Sequence, residues 1–282
     1  MLTYLQSTIL GSLQGISELF PVSSLGHSII LPSLLEWHID EQEPFFLIFL
    51  VATHFATALV LFVFFWKDWM RILSGILRSI QRRTIAGDTD AKLGWLLIVG
   101  TIPAGILGLL FQDQIRAYFI SPASAALFLV LNGGLLYGAE RLRRKAVAET
   151  NSDDSAIARL SWRQGLIVGT MQALALIPGF SRTGASLAGS LMVGLSHKDS
   201  IRFSFLLATP LIGAAAALKL PKLISAGTHI VAISLVGAMC AGLFALIAVK
   251  FLTRYFAIKQ RTLTPFALYC VLAGALFLVF IG

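Results

Sequence analysis

Long apolar runs separated by short polar segments dominate the chain. Six of these runs approach the length of about 20 helical residues that is needed to cross the hydrocarbon core of a bilayer. They are Phe45–Trp66, Gly94–Phe111, Pro122–Ala139, Ile201–Leu218, Ile230–Val249 and Pro265–Ile281. The pattern therefore predicts an all-α polytopic membrane protein with six transmembrane helices.

Two further apolar runs, Leu5–Leu35 and Gln164–Leu195, are interrupted near their middle. Pro21 interrupts the first and Pro178 the second, and glycine and polar residues accompany both prolines. Proline removes a helical hydrogen bond and clashes with the preceding turn. Irregular backbone at membrane depth is tolerated only where protein or water satisfies its polar groups. We therefore predict that both runs are re-entrant helical hairpins.

The composition agrees with a membrane protein. The 282 residues are 57% hydrophobic and 13% charged, with a mean hydropathy of +0.83, whereas about a quarter of the residues of a soluble domain are charged. Lys and Arg outnumber Asp and Glu by 22 to 14. Basic residues confined to loops follow the positive-inside rule, so no nucleic-acid partner is expected. Residues 1–6 carry no basic residue, so no cleavable signal peptide is expected.

The loop charges also predict the topology. If both interrupted runs return to the side from which they enter, only Arg116, Lys219 and Lys222 face one side of the membrane. Arg182 then lies inside an interrupted run, and the other Lys and Arg residues all face the opposite side. Because cytoplasmic loops collect Lys and Arg, both termini are expected to face outward.

An internal repeat supports this topology. Five residues of the first interrupted run recur 158 positions later, namely Gly11, Gln14, Ser23, Gly26 and Ser28 as Gly169, Gln172, Ser181, Gly184 and Ser186. Each half would hold one hairpin and three crossings, and this odd number inverts the second half relative to the first. We therefore predict a single membrane domain, 1–282, with repeats 1–139 and 162–282 and a polar cytoplasmic linker, 140–161.

The second interrupted run carries Arg182, the only basic residue in a segment predicted to be embedded. A guanidinium at that depth needs an anionic partner, and its planar fork suits phosphate or carboxylate. The alternative is a structural salt bridge to Glu18. Neighbouring hydroxyls are candidates for binding phosphate, namely those of Ser181, Thr183 and Ser186.

In the first interrupted run, Gln14 and Glu18 are four residues apart and share a helical face. Glu18 could hold a divalent metal, act as a general base or bind a coupling ion. Ser24 and His27 are three residues apart, which suits a nucleophile–base pair, two phosphate contacts or a helix cap.

Three other embedded polar residues give weaker signals. His54 could border the site or pack within the helices, and Gln172 could supply an amide because it is the repeat partner of Gln14. Asn132, which stands among glycines, is expected to serve helix packing.

The two polar stretches resemble the signature regions of the bacterial undecaprenyl-diphosphatase family, also known as bacitracin-resistance proteins. The resemblance covers nearly the whole chain. Gln14 to His27 resembles the pattern (E/Q)xxxE followed by PVSSxGH, and Pro178 to Gly184 resembles PGxSRxG. The resemblance implies a bacterial inner-membrane enzyme that hydrolyses undecaprenyl diphosphate to undecaprenyl phosphate. This reaction recycles the lipid carrier of cell-wall glycan synthesis and confers bacitracin resistance.

The resemblance also implies roles for single residues. By position, Glu18, Ser24, His27 and Arg182 match family residues assigned to catalysis or phosphate binding, and Ser23 lies beside them. A divalent cation, Mg²⁺ or Ca²⁺, is implied as cofactor. Gln14 occupies a position where the family commonly has a carboxylate, a variant that the motif admits.

Several alternatives stay open at this stage. Inverted repeats with broken helices are also a transporter design, so a secondary transporter or flippase for a lipid phosphate is the rival function. An intramembrane Ser/His protease is disfavoured, because peptide cleavage needs no arginine opposite the serine. The expected partners are a polyprenyl diphosphate and membrane lipids, and a homodimer is left open. The nucleophile could be Ser24, His27 or water.

Overall fold

The structure is a computed structural model that describes residues 2–37, 39, 44–146, 154–224, 227–258 and 261–281. Within these ranges the chain is helical and has no strand. The helices are α1 (Tyr4–Leu19), α2 (Ser24–Leu34), α3 (Pro44–Phe64), α4 (Trp66–Arg82), α5 (Thr89–Phe119), α6 (Pro122–Ala146), α7 (Asp154–Ala158), α8 (Trp162–Gln172), α9 (Arg182–Met192), α10 (His197–Ile224), α11 (Thr228–Ala257) and α12 (Thr264–Ile281).

Five of the described helices, α3, α5, α6, α10 and α11, are long and apolar enough to cross a membrane. Many of their large apolar side chains, such as Leu109 and Met239, point away from the protein core and are exposed. Such a surface is stable in lipid and costly in water. The chain is therefore a multi-pass membrane protein. The remaining predicted crossing corresponds to α12, whose apolar stretch, Thr264–Phe280, is shorter than the other five.

The interruptions predicted at the two prolines are present. Residues 20–23, which include Pro21, separate α1 from α2. Residues 173–181 separate α8 from α9, and they contain a 3₁₀ turn followed by Pro178. Each interrupted run thus consists of two helices joined by an irregular segment. We call these segments the first break (20–23) and the second break (173–181).

The helices after both breaks begin with the same serine cap. Ser23 Oγ accepts a hydrogen bond from the Gly26 N–H at 3.2 Å, and Ser181 Oγ accepts one from the Gly184 N–H at 3.1 Å. A capping hydroxyl satisfies one of the free N–H groups in the first helical turn. Gly26 and Gly184 therefore lie inside α2 and α9.

The helices before the breaks also begin alike. Thr3 and Gln6 form a reciprocal capping box at α1, in which each side chain accepts the other residue's backbone N–H. Ser161 and Gln164 form the same box at α8. These residues stand 158 positions apart, which is the spacing of the sequence repeat.

Two helix pairs are in contact through glycine backbone. Gly11 of α1 lies against the backbone of Gly237 in α11, and Gly169 of α8 lies against the backbone of Gly100 in α5. A Cβ atom added to Gly11 or Gly169 would overlap the facing carbonyl group. Both pairs therefore depend on the missing side chain for their close approach.

Helix α4 was not predicted, because its apolar residues recur at helical spacing within a polar segment too short to span a membrane. Trp69 and Ile72 are buried on one face. On the other face Arg78 binds Asp88 through Nε at 2.8 Å and Nη2 at 3.1 Å. This contact, together with a hydrogen bond from the Ala91 N–H, holds the pKa of Asp88 below its usual range.

The ends of the predicted linker 140–161 are ordered helix rather than a solvated connection. Glu140 lies within α6 and is buried, where its Oε2 contacts His197 Nε2 at 2.7 Å and accepts the Leu263 N–H at 3.1 Å. Ile157 of α7 is also fully buried. Residues 147–153 lie outside the described part of the chain.

Candidate active site

The two interrupted runs are in direct contact at and beside their breaks. Thr183 Oγ1 donates a hydrogen bond to the carbonyl oxygen of Glu18 at 2.9 Å, and Ser181 Oγ donates to that of Phe20 at 3.3 Å. These bonds satisfy carbonyl groups that the end of α1 leaves without helical partners. The polar residues of both interrupted runs therefore share one buried region.

An ion pair between Glu18 and Arg182 lies at the centre of this region. Arg182 donates to Glu18 Oε1 through Nε at 3.2 Å and through Nη2 at 2.9 Å. The side chains are only 5% and 10% exposed. The salt bridge that the sequence allowed is thus present. The third nitrogen of the guanidinium, Arg182 Nη1, is buried and has no hydrogen-bond partner in the described structure. The guanidinium therefore retains an unused donor.

The second oxygen of Glu18 gathers three further groups. Its Oε2 accepts a hydrogen bond from Ser24 Oγ at 2.5 Å and one from Gln14 Nε2 at 3.1 Å. His54 Nε2 lies 3.4 Å away. Because His54 Nδ1 donates to the Leu50 carbonyl at 2.7 Å, this contact is favourable when Nε2 also carries a proton. His54 therefore borders the carboxylate, one of the two positions that the sequence allowed.

His27 has other partners than Ser24. Its Nδ1 donates to the Ser23 carbonyl at 2.7 Å, and its Nε2 contacts the Tyr269 hydroxyl at 2.8 Å. The rings of His27 and Tyr269 stack with centroids 5.8 Å apart. The structure thus places the Ser24 hydroxyl on Glu18 and the His27 ring on Tyr269. Tyr269 was missed because an exposed tyrosine in an apolar run resembles a lipid-facing residue.

The hydroxyls predicted to bind phosphate mainly hold the backbone. Ser23 caps α2 from a backbone with φ of +65°, a conformation that costs a non-glycine residue about 1–3 kcal/mol. Thr183 binds the end of α1. Ser186 Oγ donates to the Arg182 carbonyl at 2.9 Å and pairs with Ser204 Oγ at 2.5 Å, so it faces α10 rather than Glu18.

Gln172 does not share the hydrogen bonding of its repeat partner. Gln14 binds Glu18, whereas both polar atoms of the buried Gln172 amide have no hydrogen-bond partner in the described structure. The two interrupted runs therefore share the same helices and caps, but their central amides, Gln14 and Gln172, differ in hydrogen bonding.

Asn132 joins the two breaks. Its Nδ2 donates to the Pro21 carbonyl at 2.9 Å, and its Oδ1 accepts the Ser181 N–H at 3.1 Å. The residue is fully buried in α6. One amide thus fixes the separation of the segments that carry Glu18 and Arg182. The sequence indicated only helix packing for Asn132, because nothing in the sequence shows that α6 passes between the breaks.

We expect Asn132→Ala to lower both stability and turnover. It leaves the Ser181 N–H buried without a partner in the described structure, at a cost of about 1–3 kcal/mol, and it leaves the Pro21 carbonyl with a long contact from Cys270 Sγ at 3.7 Å. Leu136→Ala is the matched control, because it removes a buried side chain one turn further along α6 and no hydrogen bond to either break. Both variants should lower the melting temperature, and Asn132→Ala alone should lower kcat per folded molecule. Equal kcat losses would show that Asn132 acts only in packing.

The residues fit a divalent cation only in part. Among the described residues, no cluster of three or more His, Cys, Asp or Glu side chains could hold a metal. Gln14 Oε1, however, is buried without a hydrogen-bond partner and lies one helical turn from Glu18. Mg²⁺ is commonly held by one or two carboxylates together with oxygens of the substrate and water. Gln14 and Glu18 fit such a site if substrate oxygens complete the shell.

One family model and several related proteins match nearly the whole chain. The family model described as bacitracin resistance protein BacA matches residues 7–276. A protein named undecaprenyl-diphosphatase from Mycolicibacterium paratuberculosis is 44% identical over 303 residues, which cover 100% of this chain and 98% of the relative. Another of that name, from Acidiphilium cryptum, is 42% identical over 286 residues, with 99% of both chains covered. Undecaprenyl-diphosphatase 2 from Chromobacterium violaceum is 43% identical over 279 residues, with 98% of both covered.

Proposed function

Because the chain belongs to the bacitracin resistance protein BacA family, we propose that it hydrolyses undecaprenyl diphosphate to undecaprenyl phosphate and inorganic phosphate. This activity recycles the lipid carrier of cell-wall glycan synthesis in the bacterial inner membrane and confers bacitracin resistance. The observation that carries the proposal is the arrangement around Glu18, where one carboxylate touches an arginine fork on one oxygen and a serine hydroxyl on the other.

We further propose that the chain forms an inverted-topology repeat of six crossings and two re-entrant hairpins, with α12 as the sixth crossing. The paired capping boxes and serine caps, each pair 158 residues apart, support this architecture. The repeats would be 1–139 and 162–282, joined by the linker 140–161, with both termini on the periplasmic side. All described groups of the proposed site come from one chain.

In the proposed mechanism, Arg182 first moves from Glu18 to the terminal phosphate of the substrate. A diphosphate carries more negative charge than one carboxylate, and it offers oxygens for both arms of the guanidinium fork. The unpartnered Nη1 is available for this contact. Phosphoryl transfer depends mainly on positioning and charge neutralisation, and the arginine supplies both.

Ser24 then attacks the terminal phosphorus. Its proton passes to Glu18 Oε2, which already accepts the hydrogen bond from Ser24 Oγ at 2.5 Å. A bond forms between Ser24 Oγ and phosphorus, and the bond from phosphorus to the bridging oxygen breaks, which releases undecaprenyl phosphate. Water then hydrolyses the phosphoserine and releases phosphate. His27 is the acid/base group available for this second step once its ring separates from Tyr269.

We propose that a divalent cation, Mg²⁺ or Ca²⁺, occupies the space beside Gln14 Oε1 and Glu18, with substrate oxygens completing its shell. Bound there, it would neutralise charge on the diphosphate. The remaining candidate residues, Ser23, Ser181, Thr183 and Ser186, would hold the backbone N–H groups of both breaks in position around the phosphate.

We expect Gln14→Glu to lower the cation concentration required for half-maximal activity. The substitution places a second carboxylate one turn from Glu18, and carboxylates bind Mg²⁺ and Ca²⁺ more strongly than an amide oxygen does. Activity is measured against cation concentration for both proteins. Gln164→Glu, which adds the same charge at the start of α8, serves as the control. An unchanged cation requirement in Gln14→Glu would place the cation elsewhere.

Phosphate release from a prenyl diphosphate by the purified chain in detergent tests the function. No gradient exists in detergent, so a pure transporter would release nothing. Acid quenching of the wild type should trap phosphoserine, and Ser24→Ala should lose both the trapped species and the activity. Ser190→Ala, a buried serine of α9 with no hydrogen-bond partner in the described structure, should behave as wild type. Rapid turnover by Ser24→Ala would indicate direct attack by water.

A further inference from the structure

A cavity of about 460 Å³ lies outside the proposed active site, at the end of α11 and the connection to α12. Three basic residues, Lys250, Arg254 and Arg261, line it. Lys250 and Arg254 lie in the last two turns of a helix that is long and apolar enough to cross the membrane. The cavity therefore lies where that helix leaves the hydrocarbon core, at the depth of lipid headgroups.

Within the described part of the chain, the three cations have no acidic partner. In the described part of the chain, Arg78 pairs with Asp88, and both Arg71 and Arg202 pair with Asp68. By contrast, no described Asp or Glu forms an ion pair with a cation of the cavity. Three like charges around one cavity repel each other unless an anion enters. The charge of the site thus selects a negatively charged ligand.

The rest of the lining is apolar and aromatic. The Arg261 guanidinium lies over the Tyr255 ring at 5.1 Å, which holds it at the cavity, and the rings of Phe251 and Tyr255 stack at 5.8 Å. Ile247 is 54% exposed one turn deeper in the membrane. A small inorganic anion would leave this apolar surface uncovered, whereas a lipid tail would cover it.

We propose that this cavity binds the phosphate headgroup of an anionic bilayer phospholipid, with an acyl chain along Ile247 and Phe251. The charged end of the ligand meets the three cations, and its apolar part meets the membrane side of α11. Basic pockets between transmembrane helices are known to take such headgroups. The binding proposal rests on the membrane location of the chain, and its test by lipid retention does not depend on the proposed phosphatase activity.

The site also contacts the first break through a pair of aromatic rings. Phe251 stacks on Phe20 with centroids 5.7 Å apart and planes 7° from parallel. Phe20 is the first residue of that break, two positions after Glu18. A lipid packed against Phe251 would therefore limit the movement of the first break and of the end of α1, which carries Glu18. Activity should rise with the anionic lipid content of the bilayer.

The test compares two triple variants in nanodiscs. Lys250→Gln/Arg254→Gln/Arg261→Gln removes the cations of the cavity, and Lys67→Gln/Arg82→Gln/Arg83→Gln removes three exposed cations of α4 and its C-cap. Lipid retention is measured by native mass spectrometry after reconstitution in mixtures of phosphatidylglycerol and phosphatidylcholine. We expect retention of phosphatidylglycerol by the cavity variant to weaken about a hundredfold relative to the control variant.

Competition experiments distinguish a phospholipid from inorganic phosphate and from a prenyl phosphate as the ligand of the cavity. Neither inorganic phosphate nor a prenyl phosphate, added in stoichiometric excess, should displace phosphatidylglycerol from the wild type. Displacement by either would overturn the assignment in favour of that anion. Equal retention by both triple variants would overturn the site itself. As a second readout, activity of the wild type and the control variant should increase with phosphatidylglycerol content, whereas that of the cavity variant should not.

Discussion

Arg182→Lys is expected to reduce kcat/KM at least about a hundredfold, in the range found when one preorganised donor to a developing charge is lost. Lysine keeps the charge but cannot present two parallel N–H groups, which Arg182 now directs at a single carboxylate oxygen. Arg182→Ala is expected to lose about a thousandfold or more, as when an arginine is removed from phosphoryl transfer. Phosphate release from a prenyl diphosphate under subsaturating conditions measures both.

Arg202→Lys provides the matched control for this prediction. Arg202 also directs a guanidinium at a carboxylate, that of Asp68 at 2.7 Å, but it does so away from the breaks. Its replacement should leave kcat/KM close to the wild-type value. Wild-type activity in Arg182→Lys would mean that the fork has no part in holding phosphate. Equal losses in both lysine variants would point to a general effect on folding.

Glu18→Gln is expected to lower kcat about 10²–10⁴-fold, the range typical for the loss of a general acid or base. The amide has nearly the shape of the carboxylate but cannot take the proton of Ser24. It also leaves Arg182 buried without a counter-charge, and breaking a buried ion pair costs about 3–5 kcal/mol. The variant should therefore melt at a lower temperature than the wild type, as measured in detergent.

Glu140→Gln distinguishes the loss of a proton acceptor from the loss of stability. Glu140 is 2% exposed and contacts His197, so its replacement also removes a buried carboxylate from a hydrogen-bonded pair, but this pair lies outside the breaks. We expect it to lower stability and to leave kcat per folded molecule unchanged. If Glu18→Gln behaved in the same way, the pair of Glu18 with Arg182 would be a structural salt bridge, the alternative that the sequence left open.

The sequence was informative where a local physical rule decides the structure. The two breaks fall where a proline is followed by a helix-capping serine, Pro21 by Ser23 and Pro178 by Ser181. Proline alone does not decide the break, because Pro32, Pro103 and Pro210 lie inside helices. Glu18 and Arg182 stood out because charged groups inside apolar runs are costly without a partner. The helical class and the membrane location follow from the same apolar runs.

Contacts between distant segments could not be predicted in this way. Ser24 and His27 suggested a pair by their spacing, yet Ser24 binds Glu18 and His27 binds Tyr269, 242 residues away. The role of Asn132 likewise depends on α6 reaching both breaks, which no local pattern reveals. Helix α4 was missed because amphipathic surface helices lack the length that identifies a crossing.

The glycine contacts of α1 and α8 restrict how substrate can enter. Gly11 and Gly169 contact the facing backbone directly, so no side chain between the paired helices can change rotamer to let them slide. We therefore expect little relative movement between α1 and α11 or between α8 and α5. Tyr269, in contrast, is 45% exposed and covers His27 through a hydrogen bond and ring stacking. Rotation of this tyrosine would uncover His27 toward the bilayer without any movement of the two glycine contacts.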